Sequence, residues 1–570
     1  MNRVTFLVLR RMRTPLLVLL GAYTITVLGL TLIPGVDDQG QPWRMDFFHA
    51  FYFISYMATT IGFGEIPYEF SEGQRLWVTF SIYITVIAWL YAIGVILNLV
   101  QDPAFRRAVV EGHFARSVRS LREPFYLVCG FGDTGKSLIR ALTEREMRAV
   151  VIDNNQEAIN DLALKDYLVH VPGLYADVRQ PEHLIEGGLK HDKCEGIVAL
   201  TNDDRVNLKI AITSKLLNKP LPVICRAEDQ DYENNMESFG TDYIIDPFLT
   251  FADRFASALH KPGLFILHHW LTEVPYSNLP EPLYPPSNGT WLLCGYGRFG
   301  KAVHARLQEL GISTVVIEAK PEGLHCPAGT VEGRGTEAST LQQAGVENAV
   351  GIIAGTNDDA NNLSIVMTAK ELNPGLFVTI RQNRNANRPL FEAFHADLVM
   401  QPSEIIAREI RVLLTLPMLS AFLKQAASKD NDWANQVASR IVGIIGEVVP
   451  DVWTVEIEPE SASAVFDSLM SDEKLQLAHL CRDPRARQIQ LCCLPLYLVR
   501  GQQFFLIPDK EMELKRGDKI LFCGAYGIAG RMHWVLHNAN ALHYVVTGDE
   551  SPAGYVWQWI KRNRNYSEKI

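Results

Sequence analysis

The stretch YLVCGFGDTGKSLIRALTEREMRAVVID, residues 126–153, decides the fold of most of this chain. An apolar segment leads into a Gly-x-Gly-x-x-Gly turn, and a second apolar segment ends in an acid. In a strand–turn–helix–strand unit, the three glycines permit a tight turn, close approach of a pyrophosphate and close packing of the helix on the strand. The pattern therefore predicts a Rossmann-like α/β unit that binds a nucleotide.

The same pattern returns as WLLCGYGRFGKAVHARLQELGISTVVIE, residues 291–318. The repeat continues, since IVALTNDD at 197–204 matches IIAGTNDD at 352–359. These segments predict buried strands that end in polar residues at the ligand-binding edge of a parallel sheet. The candidate nucleotide contacts are Gly130, Phe131, Gly132, Asp133, Thr134, Gly135, Asp153, Asn154, Thr201 and Asn202 in the first copy, and Gly295, Tyr296, Gly297, Arg298, Phe299, Gly300, Glu318, Thr356 and Asn357 in the second.

An acid, Asp153 or Glu318, follows the first glycine of each copy by 23 residues. A carboxylate there can hold a ribose 2′-hydroxyl and disfavours a 2′-phosphate. We therefore expect NAD or an ADP- or ATP-like nucleotide rather than NADP. Arg298, within the second glycine loop, could reach a phosphate or be a solvated turn residue, whereas Asp133 would repel a phosphate that it faced.

Two stretches without charged residues, 14–36 and 76–100, are each long enough to cross a membrane as a helix. Arginines lie before the first stretch and after the second, between Arg106 and Arg122. By the positive-inside rule, this places both termini in the cytoplasm. The sequence thus predicts a multi-pass protein of the cell (inner) membrane.

Between these spans, an aromatic-rich stretch over 46–59 is too short to cross and return. It predicts a re-entrant pore helix, with an interfacial helix as the alternative. Thr60-Ile61-Gly62-Phe63-Gly64 follows, and its backbone carbonyls could bind potassium at residues 60–63. One such strip cannot surround an ion, so several chains must combine. Gly94, in the second span, is either a gating hinge or a site of close helix packing.

The strip resembles the potassium-channel motif Thr-Val-Gly-Tyr-Gly-Asp, with Ile61, Phe63 and Glu65 as departures. Phe63 lacks a hydroxyl that commonly braces the filter from behind. The repeat over 125–540, with its LKRGDKILFCG segment at 514–524, resembles the RCK (regulator of potassium conductance) or Trk-type domain. The resemblance implies a homotetramer with a ring of eight such domains, paired through crossover helices that bend at Pro262 and Pro417.

The expected fold class is multidomain, with a two-span α-helical pore followed by two Rossmann-like α/β domains, the second carrying an α+β lobe. The second unit is complete, whereas the first has no room for such a lobe. The expected boundaries are the pore at 1–101, a linker at 102–124 that is helical or extended, the first domain at 125–285, the second at 286–430, its lobe at 431–540 and a tail at 541–570.

The formal net charge of −10 argues against nucleic-acid binding. Calcium or another divalent cation is a further candidate ligand, but 173–177 and 333–337 depart from the related family's pattern and locate no site. We therefore expect a ligand-gated potassium channel in the lipid bilayer. The alternatives are a membrane-anchored NAD-dependent oxidoreductase, for which no catalytic His or Lys constellation is evident, and a regulatory subunit of a potassium transporter.

Overall fold

The computed structural model describes residues 3–273, 275–279 and 282–549. They fold as two compact units. The first comprises the described residues up to Glu123 together with 172–176 and 182–193, and the second comprises the rest. Each unit is described by itself.

Helices dominate the first unit. Two of them, Val8–Leu32 within the longer helix Arg3–Leu32 and Glu72–Gln101, are long and apolar enough to cross a membrane. The first helix stops at Leu32, short of the end of its charge-free stretch, because Pro34 disfavours a helical Ile33 and offers no N–H. This unit also contains helices Phe47–Ala58 and Pro103–Arg119, the paired strands Gly35–Val36 and Pro42–Trp43, strand Gly173–Tyr175 and most of helix Pro181–Glu186.

Trp77 fixes how the two long helices pack. Its indole Nε1 donates to the carbonyl of Thr26 at 3.0 Å. A Cβ on Gly29 would come within 2.0 Å of the Trp77 ring, so glycine is required where the ring crosses the first helix. The short helix Phe47–Ala58 completes this core with the fully buried Ala50 and Ile54.

The linker is helical over Pro103–Arg119. Asp102 caps it through a 2.8 Å hydrogen bond from the N–H of Ala104 to Oδ1. The other Asp102 oxygen pairs with Arg11 at 2.8 Å, which ties the start of the first helix to the end of the second. The linker helix also contacts strand Gly173–Tyr175 within this unit.

Two parallel sheets form the centre of the second unit. In the first, the five strands of this unit run in the order Arg148–Asp153, Phe125–Cys129, Cys194–Ala199, Val223–Arg226 and Tyr243–Ile245. The second follows the same order with Val331–Glu332, Ser313–Glu318, Thr290–Cys294, Gly351–Ala354, Phe377–Arg381 and Leu398–Met400.

All five residues of Phe125–Cys129 are buried, as expected for a parallel strand covered on both faces. In each sheet the strand order reverses beside the strand that precedes the glycine loop, and this is where such folds bind ligands. The connecting helices of this unit are Asp133–Thr143, Gln156–Leu164, Asp204–Leu217 and Gln230–Ser238 in the first repeat, and Arg298–Glu309, Ala338–Gln343, Asp359–Leu372 and Arg388–Phe394 in the second.

The crossover helices are exchanged between the repeats. Helix Pro247–His260 of the first repeat packs Phe251 and Phe255 into the core around Phe299, on the glycine-loop helix of the second. Ile406 of the second repeat joins the core around Leu138 of the first. Each crossover breaks before a proline, which gives Pro247–His260 then Pro262–Thr272, and Pro402–Thr415 then Pro417–Ala426.

Asp246 makes the stability of the first repeat depend on pH. Its carboxylate caps the helix Pro247–His260 by accepting from the N–H of Phe248 at 2.6 Å, and burial raises its pKa to about 6. The folded-state pKa lies above the unfolded value. The contribution of protonated Asp246 to the free energy of unfolding is therefore fully present below about pH 4 and is lost as the pH rises through 6. Asparagine does not ionise, so Asp246→Asn should not suffer this loss. We expect its free energy of unfolding, relative to that of the native chain, to rise by about 1–2 kcal/mol between pH 5 and pH 8.

Thermal unfolding of the intact protein at several pH values measures this gain. Asp430→Asn is the matched control, because Asp430 caps helix Asn431–Ile445 through Trp433 in the same way but is exposed. Equal pH profiles for Asp246→Asn and the native chain would contradict the assignment.

The α+β lobe follows helix Asn431–Ile445. Its antiparallel sheet has the order Asp451–Glu456, Lys519–Gly524, Cys493–Arg500 and Gln503–Leu506, with a separate hairpin at Arg482–Asp483 and Ala486–Gln490. Helices Ser463–Met470, Leu477–Leu480, Ile528–His537 and Ala539–Thr547 cover its core. The last helix enters the predicted tail, whose residues 550–570 lie outside the described residues. The expected fold class is confirmed.

Candidate functional site

The backbone of the pore strip alternates in handedness. Thr60, Gly62 and Gly64 have positive φ angles of 63°, 67° and 77°, whereas Ile61 and Phe63 do not. In an ordinary extended strand successive carbonyls point in opposite directions, and a left-handed residue at every second position turns them towards one side. This is the arrangement that a row of carbonyl ligands for a dehydrated cation requires.

Backbone hydrogen bonds hold one end of the strip, and two of its side chains are exposed. The N–H groups of Ile61 and Gly62 both donate to the carbonyl of Tyr56, at 3.0 and 3.3 Å. The side chains of Ile61 and Phe63 are 61% and 65% exposed in the single chain. A single chain therefore leaves these side chains largely uncovered, as expected if further copies pack around the strip.

Two tyrosines of the short helix brace the strip from behind. The Tyr56 hydroxyl donates to the backbone carbonyl of Glu65 at 2.7 Å, and the Tyr52 hydroxyl donates to the Glu65 carboxylate at 3.0 Å. The strip thus has two hydroxyl contacts at Glu65, although Phe63 has no hydroxyl of its own. The sequence reasoning missed them, although the spacing of four residues puts Tyr52 and Tyr56 on one helix face.

Tyr56→Phe should weaken the brace without changing the core. Losing one hydrogen bond costs about 1 kcal/mol, so we expect a potassium current that decays several-fold faster at constant voltage. Tyr83→Phe is the control, because Tyr83 is 66% exposed. Macroscopic recordings from reconstituted protein measure the decay, and unchanged kinetics in Tyr56→Phe would show that the hydroxyl does not stabilise the strip.

Gly94 faces open space within the chain. A Cβ built there meets no heavy atom within 4 Å. Packing inside the chain therefore does not demand glycine at this position. Its role as a hinge stays a prediction.

The three glycines of each nucleotide loop are required to different degrees. A Cβ on Gly130 would lie 2.9 Å from the backbone of Leu200. A Cβ on Gly135 would lie 2.3 Å from the carbonyl oxygen of Gly130. A Cβ on Gly132 would meet nothing within 4 Å. The protein itself therefore places no steric demand for glycine at the second position, as expected if the space is kept for a ligand.

The second copy repeats this geometry. A Cβ on Gly300 would lie 2.1 Å from the carbonyl oxygen of Gly295, and one on Gly297 would meet nothing within 4 Å. Gly132 and Gly297 are also the N-caps of their helices, with no side-chain cap. The first amides of these helices are therefore directed at the loop, where an anion would be favoured.

The predicted ribose acids hold their glycine loops. Asp153 accepts from the backbone N–H of Phe131 at 2.5 Å and from that of Asn155 at 2.7 Å. Glu318 accepts from the N–H of Tyr296 at 2.7 Å. Since each carboxylate oxygen has two lone pairs, a ribose hydroxyl could still donate to them.

A buried asparagine holds the threonine that follows a central strand in each repeat, and the sequence reasoning missed both. Asn207 accepts from the Thr201 hydroxyl at 2.7 Å and donates to the Thr201 carbonyl at 2.9 Å. Asn362 does the same for Thr356, at 2.6 and 3.0 Å. The signal was available, because both asparagines follow their threonine by six residues.

The second cleft contains a cavity of about 290 Å³. This volume is close to the lower end of the range for small-molecule sites, about 300–1,000 Å³. Of the predicted residues Gly295, Glu318 and Thr356 line it, and Asn361 and the segment 333–336 were not predicted.

Arg298 and Asp133 point across to the other repeat. Arg298 pairs with Glu228 at 2.5 Å, and Asp133 accepts from the backbone N–H of Asn385 at 3.0 Å. Arg298 is therefore an exposed residue that has an ion-pair partner, and Asp133 has a partner other than a phosphate. Glu228 joins the two repeats because it also pairs with Arg226.

The other predicted contacts fall into three groups. The side chains of Phe131, Thr134, Tyr296 and Phe299 are buried, so only their backbones can face a ligand. Asn202 and Asn357 accept from Arg226 and Arg381, at 2.7 and 2.8 Å. Asn154 is exposed just past the end of its strand. Among the described residues, no group of three or more His, Cys, Asp or Glu side chains could hold a divalent cation.

Comparisons with known proteins agree with this division. An ion-channel family model matches residues 15–102, and the TrkA-N domain matches twice, at 126–247 and 291–402. Two relatives from Methanocaldococcus jannaschii, "Probable potassium channel protein 2" and "Potassium channel protein 1", are each 24% identical over 39% and 40% of this chain. The matches span 63% and 66% of those relatives, and 34% of an uncharacterized protein from Methanothermus fervidus.

A solved structure, the GsuK channel, is 16% identical, with 96% of this chain and 100% of that chain covered and a TM-score of 0.49. The predicted order of one pore and two nucleotide-binding-type domains is confirmed by the family matches. An ion-channel family model thus matches the part of the chain that contains the two long apolar helices, and two TrkA-N matches follow it.

Proposed function

We propose that this protein is a potassium-selective channel whose pore is controlled by a nucleotide bound to its TrkA-N domains. The observation that carries the proposal is the alternating backbone of residues 60–64, placed after a short apolar helix and between two possible membrane spans. Potassium would be held by backbone oxygens of Thr60, Ile61, Gly62 and Phe63 and by the Thr60 hydroxyl.

The channel would be a homotetramer. Four strips are needed to replace the hydration shell of one ion, and two TrkA-N domains per chain then give a ring of eight. The arginines that flank the spans support a cytoplasmic location for the termini and the ring in a cell (inner) membrane protein. Both Methanocaldococcus jannaschii relatives bear the name of a potassium channel.

Nucleotide binding would reach the pore through the linker helix. This helix continues from the second span and contacts residues 173–175, which belong to the first TrkA-N domain in sequence. A nucleotide that binds better to one arrangement of the domains would shift the pore towards the matching state. NAD or an ADP- or ATP-like nucleotide fits the acids Asp153 and Glu318 better than NADP does.

The alternatives explain less. An oxidoreductase would leave the alternating strip without a purpose, and the family match is to ion channels, which are not enzymes. A regulatory subunit would need no pore segment of its own, yet residues 15–102 match one.

Uptake of ⁸⁶Rb⁺ into proteoliposomes tests the proposal. We expect uptake that changes with added NAD or ADP and responds less to NADP. Calcium, added alone and with nucleotide, tests whether a divalent cation is a second ligand. Uptake that ignores every nucleotide would contradict the nucleotide control, and substrate-dependent hydride transfer without ion uptake would favour the oxidoreductase.

A further inference from the structure

A second large cavity lies away from both glycine loops. Its volume is about 660 Å³. Four arginines line it, two from the end of the first glycine-loop helix and the turn after it and two from helix Pro402–Thr415: Arg140, Arg145, Arg408 and Arg411.

Arg411 is the least compensated of these charges. It is only 9% exposed, and its guanidinium donates to the carbonyl of Thr272. No carboxylate lies within 4.0 Å of it among residues 3–273, 275–279 and 282–549. Burial and the nearby positive charges of Arg145 and Arg408 lower its pKa to about 10, against a weaker opposing effect of Glu273 and Glu144. A buried guanidinium in this setting is costly unless an anion joins it.

None of the four carboxylates that line the cavity forms an ion pair with Arg411. Glu273 pairs with Arg408 at 3.2 Å, and Glu404 accepts from the Ser137 hydroxyl at 3.2 Å. Asp451 accepts from the backbone N–H of Val452 at 2.9 Å, and Glu144 is exposed. In the described part of the chain, Arg140 and Arg145 likewise have no ion pair.

We propose that this cavity binds a small oxyanion of the phosphate type through Arg411 and Arg145, with Arg140 at its edge. Guanidinium groups match phosphate oxygens through paired N–H donors. The site is separate from the first nucleotide cleft, because Arg140 follows Gly132 by eight residues, about 12 Å along a helix.

A bound oxyanion would tie together parts that the nucleotide clefts do not join. The arginines come from both repeats, and Asp451 at the rim begins the α+β lobe. If the channel function proposed above holds, such an anion would act as a second regulator of the pore. Binding itself does not depend on that function.

Isothermal titration of the intact detergent-solubilised protein with inorganic phosphate tests the site, with sulfate and chloride as further titrants. We expect phosphate and sulfate to bind and chloride not to. Arg145→Gln should weaken phosphate binding at least tenfold, whereas Arg440→Gln, on the exposed face of another helix, should not. AMP is titrated separately. AMP binding that is lost in Arg145→Gln would show that the site takes the phosphate of a nucleotide rather than a free ion.

The outcomes separate this site from the channel proposal. Phosphate that fails to bind the native protein, or binds Arg145→Gln as well as the native protein, would overturn the site even if ion uptake is normal. Arg411→Lys offers a second variant, since it keeps the charge but removes the guanidinium fork, and it should also weaken binding. If the protein shows no potassium flux but binds phosphate through Arg145, the proposed function is overturned and the proposed oxyanion site is supported.

Discussion

Replacing Gly64 with alanine is expected to abolish potassium current while nucleotide binding stays intact. Gly64 has a φ of 77°, in the left-handed region that a Cβ disfavours by about 1 kcal/mol. The small energy is not the main effect. A residue at position 64 that relaxes out of this region turns the preceding peptide, and with it the Phe63 carbonyl, away from the row formed with Ile61 and Gly62, and the ion loses a ligand that cannot be replaced at that depth.

Gly40→Ala is the matched control for this change. Gly40 has nearly the same φ, 76°, and at both positions a Cβ would meet nothing within 4 Å of the single chain. The two substitutions therefore share a similar backbone penalty, and only one lies in the strip. Flux assays and nucleotide titrations on the Gly64→Ala and Gly40→Ala variants test whether residues 60–64 form the filter. Current that survives in Gly64→Ala, or is lost equally in both variants, would show that residues 60–64 do not form the filter.

Alanine at Gly132 or Gly297 is expected to weaken nucleotide binding at least tenfold, about 1.4 kcal/mol or more, in a protein that remains folded. At both positions the protein leaves open space around a Cβ, and the φ angles of −73° and −71° suit alanine. The added methyl would instead occupy the place where a pyrophosphate approaches the backbone. Because the two changes are separate, titration with NAD and with ADP also shows which repeat takes which ligand.

Gly300→Ala is the contrasting variant. Its Cβ would lie 2.1 Å from the carbonyl oxygen of Gly295, so the loop itself must move and the protein should lose stability. We expect a lower Tm for Gly300→Ala and an unchanged Tm for Gly297→Ala. Wild-type affinity in both Gly132→Ala and Gly297→Ala would contradict nucleotide binding at the glycine loops.

Local patterns in the sequence were sufficient to predict most of the fold. The charge-free stretches indicated the two long helices, and the glycine spacing indicated both strand–turn–helix units. Pro262 and Pro417 indicated where the crossovers bend, and the structure breaks both helices at the residues just before them. These features depend on residues close together in the chain, where periodicity and backbone restrictions act directly.

Contacts between distant residues could not be read in the same way. The Arg298–Glu228 pair and the hydrogen bond from Asn385 to Asp133 join residues 70 and 252 positions apart. They exist because the two repeats exchange their crossover helices, which a single glycine fingerprint does not specify. The brace from Tyr56 to Glu65 spans only nine residues, but it depends on the left-handed turn of the strip between them.

The most direct test of the central claim is the reversal potential of the purified, reconstituted protein with potassium on one side of a planar bilayer and sodium on the other. A row of backbone carbonyls from residues 60–64 should give a strongly potassium-selective reversal potential. A reversal potential near zero, or no current under any nucleotide condition, would contradict the account.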